Sequence, residues 1–161
     1  MESGGAQRQL VQLAIQLKNR AYNVELMCWN KGGKDGKIFE TELIRHGVCF
    51  KCLSKLENKY LRIFNLNSYI KKYRPDVVIS YYPIASMMLS IGHIFNRTYK
   101  LIVSERSMTR YISSKVILKY NLYRLADAVV PNSHQEGQFI ISHFNFLDKM
   151  THIINNYVDT D

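Results

Sequence analysis

The sequence predicts an α/β fold in which a parallel sheet carries helices on both faces, in the Rossmann-like manner. Short apolar runs alternate with longer helical patterns from one end of the 161-residue chain to the other. Parallel strands need long connections, usually helices, and strands buried on both faces are continuously apolar. The chain is 47% hydrophobic and 22% charged, which is ordinary for a globular protein of this length. We therefore expect one domain over residues 1–161.

The chain opens on a glycine pair that is followed by a helical pattern. Small or apolar residues recur there at the spacing of one helix face, namely Leu10, Leu13, Ala14 and Leu17. The start of a helix offers free N–H groups and a partial positive charge, and glycine lets a ligand approach the backbone. Gly4 and Gly5 are therefore candidates for binding a phosphate, with an ordinary glycine-rich loop as the alternative.

Strands and helices then alternate through the first third of the chain. An apolar run predicts a strand at 24–29, and residues 30–37, which mix glycine with charge, predict a loop. A short helix is expected at 39–46, because Gly47 stands at its C-cap position. A second strand is predicted at 48–53.

The same alternation continues to the end of the chain. A helix at 61–73 has Phe64 and Ile70 on its inward face and is ended by Pro75. Further strands are predicted at 76–80, 101–104, 128–131 and 152–155. Further helices are predicted at 84–95, 112–125 and 134–144.

The formal net charge is +9, and lysine and arginine mix with tyrosine at 69–74 and 111–124. Such segments suit a surface that faces anionic lipid or a phosphorylated substrate, or simply a solvated basic surface. The chain shows no homeodomain, zinc-finger or RNP pattern, so we expect no nucleic-acid partner. It also contains no apolar stretch of about 18 residues, which a membrane-spanning helix needs.

Three cysteines occur, Cys28, Cys49 and Cys52, and the odd number suggests a reducing compartment. His46 precedes two of them at a spacing that resembles part of a metal site. Residues 48–53 read as a strand, however, and residues three apart on a strand point to opposite faces. We expect no metal site here.

Both ends of the chain lead to expectations about segments outside it. The sequence begins at the loop that should follow a first, central strand, so we expect an apolar strand before Met1. Open sheet edges would then favour self-association between copies. Residues 154–161 read as a strand end that enters a linker to another domain.

Five segments occur in the order of a known family: SGGAQRQLVQLAIQLKNRAYNVEL (3–26), RPDVVISYYP (74–83), LIVSERS (101–107), LYRLADAVVPNS (122–133) and IINNYVDTD (153–161). Together they resemble the N-terminal, acceptor-side domain of the GT-B glycosyltransferases of family 4. The resemblance covers essentially the whole chain.

This resemblance implies an activity. Enzymes of that kind transfer a sugar from a nucleotide sugar to a glycan or lipid-linked acceptor with retention of configuration. The nucleotide sugar is a substrate, and neither a metal nor another cofactor is expected. The resemblance implies a cytoplasmic protein with peripheral contact to an anionic membrane. In the family a C-terminal domain holds most of the nucleotide-sugar site, so this chain alone is expected to be inactive.

The resemblance also implies site residues. Gly4 and Gly5 would bind the donor diphosphate. Acceptor or leaving-group contacts are expected from residues at strand ends, Tyr81, Tyr82, Glu105 and Arg106. Weaker candidates follow a later strand, Asn132, Ser133 and His134. For Glu105 and Arg106 the alternative is a local surface ion pair, and for Ser133 it is a helix N-cap, which we favour.

The chain departs from the family in two places, and other functions stay open. Tyr81 stands where the family usually has histidine, and tyrosine cannot act as a base near neutral pH. Asn155 and Tyr157 replace the usual proline and glycine of the hinge. The alternatives are half of a 2-epimerase-like sugar-nucleotide enzyme and a non-enzymatic Rossmann-like binding module.

Overall fold

The computed structural model describes residues 5–28, 34–53 and 59–156. The chain divides into two compact units, residues 1–64 and 65–161, each with a parallel sheet. The predicted class, parallel strands alternating with helices, is confirmed. The described strands form two sheets, whereas the sequence predicts one. The expectations of a single domain and of a strand before Met1 stay predictions.

The first unit packs two helices on a two-stranded sheet. Its elements are α1 (Gly5–Asn19), β1 (Glu25–Cys28), α2 (Lys34–Arg45) and β2 (Cys49–Cys52). Its core consists of buried apolar residues from α1, β1, α2 and the turn before β2, among them Val11, Ile15, Leu26 and Leu43, and Phe50 of β2 packs against it while partly buried. Helix α2 begins within the stretch predicted as a loop at 30–37. Gly47 has a φ of 68°, which confirms its predicted place at the helix C-terminus.

The boundary between the units falls within α3 (Lys59–Tyr73), and the second unit then repeats strand and helix three times. Its elements are β3 (Val77–Ser80), α4 (Pro83–Phe95), β4 (Lys100–Glu105), α5 (Ser114–Tyr123), β5 (Ala128–Pro131) and α6 (His134–His143). A 3₁₀ helix at Asn145–Met150 comes last. The sheet order is β3-β4-β5, all parallel. No helix in the described ranges is long and apolar enough to cross a membrane.

The strand predicted at 152–155 is wrong. Thr151 forms an isolated bridge with Val129, and the chain then runs beside β5 with two further hydrogen bonds. The His152 N–H donates to the carbonyl of Val129 at 2.9 Å, and the Ile154 N–H donates to that of Pro131 at 3.1 Å. The 3₁₀ helix ends at Met150, directly before this segment. Residues 152–156 therefore run beside β5 but do not form a regular strand.

The amino edge of the second sheet is held by a polar cluster around the buried His93. His93 is 3% exposed, and its Nε2 lies 2.9 Å from the Asp127 carboxylate. The same carboxylate accepts hydrogen bonds from the Leu101 N–H at 2.8 Å and from Lys100 Nζ at 2.9 Å. These bonds join α4, β4 and the turn before β5, so the polar side chains at this edge have a structural role.

Candidate functional site

The carboxyl ends of the three parallel strands of the second unit meet at one edge of the sheet. Tyr81 follows β3, Arg106 follows β4 and Asn132 follows β5. Ligands of open α/β sheets bind at this kind of edge, because the loops there leave the sheet and expose polar groups. Three of the segments predicted from the sequence to carry site residues therefore converge here.

Arg106 is the central cation of this edge. Its Nη1 donates to Asn156 Oδ1 at 2.8 Å, and its Nη2 donates to the Tyr81 hydroxyl at 2.9 Å. The guanidinium carbon lies 4.3 Å from the centroid of the Tyr81 ring. Its Nε is buried and has no hydrogen-bond partner in the part of the chain that the structure describes. The partners that the described residues give Arg106 are thus neutral, which leaves its charge available to an anion.

Tyr81 supports Arg106 as a neutral phenol. Burial raises the pKa of Tyr81, and the nearby Arg106 only partly opposes that effect. The hydroxyl therefore stays protonated near neutral pH, accepts from Arg106 and keeps its own proton to donate. Tyr82, the next residue, is exposed at the N-cap of α4 without a side-chain capping bond, and Pro83 starts that helix.

Glu105 and Arg106 do not form the surface ion pair that the sequence left open. The Glu105 side chain is enclosed, and its Oε2 lies 2.8 Å from Lys119 Nζ. Its other oxygen accepts hydrogen bonds from the Ser107 N–H at 3.2 Å and the Ser107 hydroxyl at 2.6 Å. The carboxylate therefore anchors the loop after β4, and its burial leaves no surface for an acceptor.

Among the residues after β5, Ser133 is a helix N-cap, which is the interpretation favoured from the sequence. The Ser133 hydroxyl accepts from the Glu136 N–H at 3.2 Å and caps α6, which confirms the N-cap. The Asn132 N–H donates to the Glu105 carbonyl at 3.2 Å and continues the ladder between β4 and β5. His134 is exposed at the first position of α6. These residues lie at the site edge, and Asn132 is partly buried there.

Sequence reasoning missed two charged groups next to this edge, the buried Glu136 and the partly buried Lys119. Glu136 is 1% exposed and binds Thr109 and Tyr120 through three hydrogen bonds of 2.7 Å. Lys119 lies over the Tyr120 ring at 4.3 Å while it pairs with Glu105. The capping-box pattern from Ser133 to Glu136 was the available signal, but it predicts a bond within the helix and not a contact across the loop.

The glycine pair belongs to the first unit. Gly5 is the first residue of α1 and is exposed, and a Cβ built on it would meet nothing within 4 Å. As the first residue of α1, it has a backbone N–H without a partner inside the helix. Gly4 lies outside the described residues. The expectation that both bind a diphosphate stays a prediction.

The cysteines lie on the sheet of the first unit, where Cys28 stands opposite Cys52 in the parallel register. Burial and a hydrogen bond with Cys52 raise the pKa of the Cys28 thiol to about 12. Cys49 is exposed. Within residues 5–28, 34–53 and 59–156, no group of three or more His, Cys, Asp or Glu side chains is placed to hold a metal ion.

Comparison with known proteins adds a family to this geometry. The model of the family described as Glycosyltransferase Family 4 matches residues 3–161. The chain is similar to the crystal structure of Anabaena Alr3699/HepE in complex with UDP-glucose, with a TM-score of 0.77 and 18% identity. The complex with UDP and glucose gives a TM-score of 0.76 and 17% identity, and the complex with UDP gives 0.74 and 18%.

These likenesses have a defined extent. Each covers 98% of this chain and 42% of the solved chain, so the chain spans less than half the length of the protein it resembles. At this identity the likeness shows the fold, that of a GT-B glycosyltransferase domain. No curated protein matches the chain.

Proposed function

The chain belongs to Glycosyltransferase Family 4, and from that premise we propose that it is the N-terminal, acceptor-side domain of a hexosyltransferase. The enzyme would transfer a sugar from a nucleotide sugar to a glycan or lipid-linked acceptor, with retention of configuration. The observation that carries this proposal is Arg106, a cation at the carboxyl edge of the sheet whose partners among the described residues are neutral.

Sugar transfer needs a cation of this kind. The bond between the anomeric carbon and the diphosphate breaks, and negative charge collects on the leaving group. A fixed guanidinium stabilises that charge more in the transition state than in the bound substrate, which accelerates the reaction. Arg106 would bind either this diphosphate or a phosphate of the acceptor, with Tyr81 and Tyr82 contacting the acceptor. Gly4 and Gly5 would offer backbone N–H groups to the donor diphosphate, so that no metal is required.

The donor is proposed as a nucleotide sugar because the solved relatives were crystallised with UDP, glucose and UDP-glucose. Most of the donor site would lie in a C-terminal domain. The 161-residue chain by itself would then bind acceptor but transfer no sugar.

We also propose peripheral contact with an anionic membrane on the cytoplasmic side. The surface in question, here called the basic–apolar surface, lies in the loop after β4 and the start of α5. Its exposed members are apolar or basic, namely Met108, Arg110, Tyr111, Ile112, Lys115, Ile117 and Leu118. Apolar side chains enter the interface while the cations bind acidic headgroups. A lipid-linked acceptor would then reach the same edge that carries Arg106.

The test is the product formed by the full-length protein from labelled nucleotide sugars. A glycosyltransferase moves the label to an acceptor, an epimerase forms an epimerised sugar, either still on the nucleotide or free, and a binding module forms no product. The matched variants are Arg106→Ala and Arg124→Ala, because Arg124 is an exposed arginine at the other end of α5. Label transfer that Arg106→Ala abolishes and Arg124→Ala spares supports the proposal, and formation of an epimerised sugar would refute it.

A further inference from the structure

The start of α6 contains a capping box that is only half formed. In such a box the N-cap serine accepts from the glutamate N–H, and the glutamate side chain bonds back to the serine N–H. Ser133 makes the first bond. The Glu136 carboxylate instead accepts from the Thr109 N–H and hydroxyl, each at 2.7 Å, and from the Tyr120 hydroxyl at 2.7 Å. The carboxylate thus connects α6 to the loop after β4 and to α5.

Burial makes this arrangement energetically demanding. Glu136 is 1% exposed, and the three donors that the described residues give it are all neutral. A buried carboxylate without a cation is unfavourable unless several hydrogen bonds compensate its lost hydration. Helix capping alone does not require this burial, because a surface glutamate can cap equally well. Two of the bonds hold Thr109, which lies within residues 106–113, a loop without regular structure that begins with Arg106.

Gly137, the next residue, contacts a different segment, the one that contains Ile153. A Cβ at this position would overlap the Ile153 side chain, whose Cγ1 would lie 2.5 Å away. Only glycine therefore lets Ile153 pack on the first turn of α6. The segment that contains Ile153 is hydrogen-bonded to β5 and ends, within the described residues, at Asn156. Asn156 is the residue that accepts from Arg106 Nη1 at 2.8 Å.

We propose that Glu136 and Gly137 are positioning residues for Arg106. Glu136 fixes the loop that carries the guanidinium, and Gly137 fixes the segment that carries its partner Asn156. The first turn of α6 thereby holds Arg106 and its hydrogen-bond partner Asn156 in fixed positions relative to each other. This inference rests on the proposed role of Arg106 in binding an anionic group. A fixed cation stabilises developing charge better than a mobile one, because it need not reorganise during the reaction.

The first test is Glu136→Gln in the full-length enzyme. The amide keeps the size of the side chain but replaces one acceptor oxygen by an NH2 donor, so the Thr109 N–H and the two hydroxyls can no longer all donate to this side chain. We expect kcat to fall by about 10-fold to 100-fold with little change in KM for the nucleotide sugar. In an Arg106→Ala background the same change should lower kcat no further, since Glu136 acts through Arg106. An equal loss in both backgrounds would overturn the proposal.

A second readout does not depend on sugar transfer. The Nε–H of Arg106 and the amide of Thr109 can be followed by NMR and hydrogen exchange in the same protein. Glu136→Gln and Gly137→Ala should both shift the Arg106 Nε–H signal, and Glu136→Gln should speed exchange at Thr109. The control is Asp127→Asn, a carboxylate at the opposite edge of the sheet. If the Arg106 Nε–H signal of folded Glu136→Gln has the same position as in wild type, the inference is contradicted. If the variants shift this signal but the wild-type protein transfers no sugar, the result counts against the proposed function alone.

A milder variant covers the case in which Glu136→Gln does not fold. Thr109→Val keeps the shape of the side chain and the backbone bond but removes the hydroxyl that donates to Glu136. It should shift the same Arg106 signal by less and lower kcat by a few-fold. A folded Thr109→Val protein with an unchanged signal and unchanged kcat would refute the positioning role.

Discussion

Glu105 and Arg106 are consecutive in the chain, yet each is bound by a different partner and they do not pair with each other. The Glu105 carboxylate lies 2.8 Å from Lys119 Nζ, while Arg106 donates to Tyr81 and Asn156. Successive side chains of a strand point to opposite faces, so at the end of β4 the Glu105 side chain points inward and the Arg106 side chain lies at the edge. The separation keeps the charge of Arg106 available.

The first prediction concerns the charge of Arg106. Arg106→Ala in the full-length enzyme should lower kcat about 100-fold to 1,000-fold, as expected when one group that stabilises transition-state charge is lost. The melting temperature should change little, because the side chain is only partly buried and no ion pair with another described residue is broken. Arg106→Lys should recover part of the rate, since it restores the charge but not the forked donor geometry.

Two outcomes would contradict the assignment of Arg106: full activity of Arg106→Ala, or loss of activity that follows unfolding seen by circular dichroism. Arg124→Ala serves as the matched control for removing an exposed arginine.

The second prediction concerns the buried pair of Lys119 and Glu105. Lys119→Ala leaves the enclosed Glu105 carboxylate without its cation, and the free energy of unfolding should fall by about 3–5 kcal/mol. Adding Glu105→Gln should recover much of that loss, because the uncompensated charge is then gone. Urea denaturation measures both changes. Lys100→Ala is the control, since Lys100 is 73% exposed and its pair with Asp127 should contribute at most about 1 kcal/mol.

Short sequence patterns correctly predict the parts of the fold that depend on a few neighbouring residues. The strand at 128–131 was predicted with the bounds that the structure gives, and the caps at Gly47 and Ser133 are where the sequence places them. Each follows from a rule about a few consecutive residues. The convergence of Tyr81 and Arg106 at one edge also follows, because parallel strands share their direction.

The rest depends on contacts between distant residues, which no local pattern encodes. The bond from Glu136 to Thr109 joins residues far apart in sequence, and the sequence suggested only a helix cap. Phe64, predicted to face inward, is 68% exposed, so an apolar residue at helical spacing did not identify the buried face. In α1 Ala14 is buried as predicted, but the other buried residues are Val11 and Ile15 and not the predicted leucines.

The third prediction is a pH dependence at the amino edge of the second sheet. Burial alone would raise the pKa of Asp127, but hydrogen bonds from the Leu101 N–H and Lys100, with Lys100's charge, outweigh it and hold the pKa below its ordinary value of 3.8. A carboxyl with a lowered pKa in the folded state adds stability above 3.8 that disappears as the pH falls through the folded value. Wild type should therefore lose this contribution in acid.

Asp127→Asn isolates that contribution. At pH 7 the variant should be less stable by about 1 kcal/mol, a modest value because the carboxylate is partly exposed. The difference from wild type should shrink below pH 3.8. Denaturant unfolding at several pH values measures it, and a gap that stays constant down to strong acid would contradict the role of the ionised carboxylate.

The fourth prediction concerns two backbone positions with positive φ in the first unit. Ala21 has a φ of 65° and Gly47 a φ of 68°, both in the left-handed region that favours glycine. Ala21→Gly should raise the free energy of unfolding, and Gly47→Ala should lower it, each by about 1 kcal/mol. A Cβ at Gly47 would meet only Lys18 Cε at 3.8 Å, so the effect there is one of backbone conformation and not of a clash. Changes of equal sign in the two variants would be inconsistent with this explanation.

The last prediction concerns the basic–apolar surface. The protein should sediment with vesicles that contain acidic lipid, and less so with neutral vesicles or at high salt, because screening weakens surface charge interactions. Arg110→Glu with Lys115→Glu removes two cations that contribute about 1 kcal/mol each, so binding should fall about 30-fold or more. The control reverses Arg97 and Lys149, two exposed cations that lie outside both basic segments, 69–74 and 111–124. If both double variants lose binding equally, attraction depends on net charge and the proposed surface is wrong; if only the first does, the edge that carries Arg106 faces the membrane.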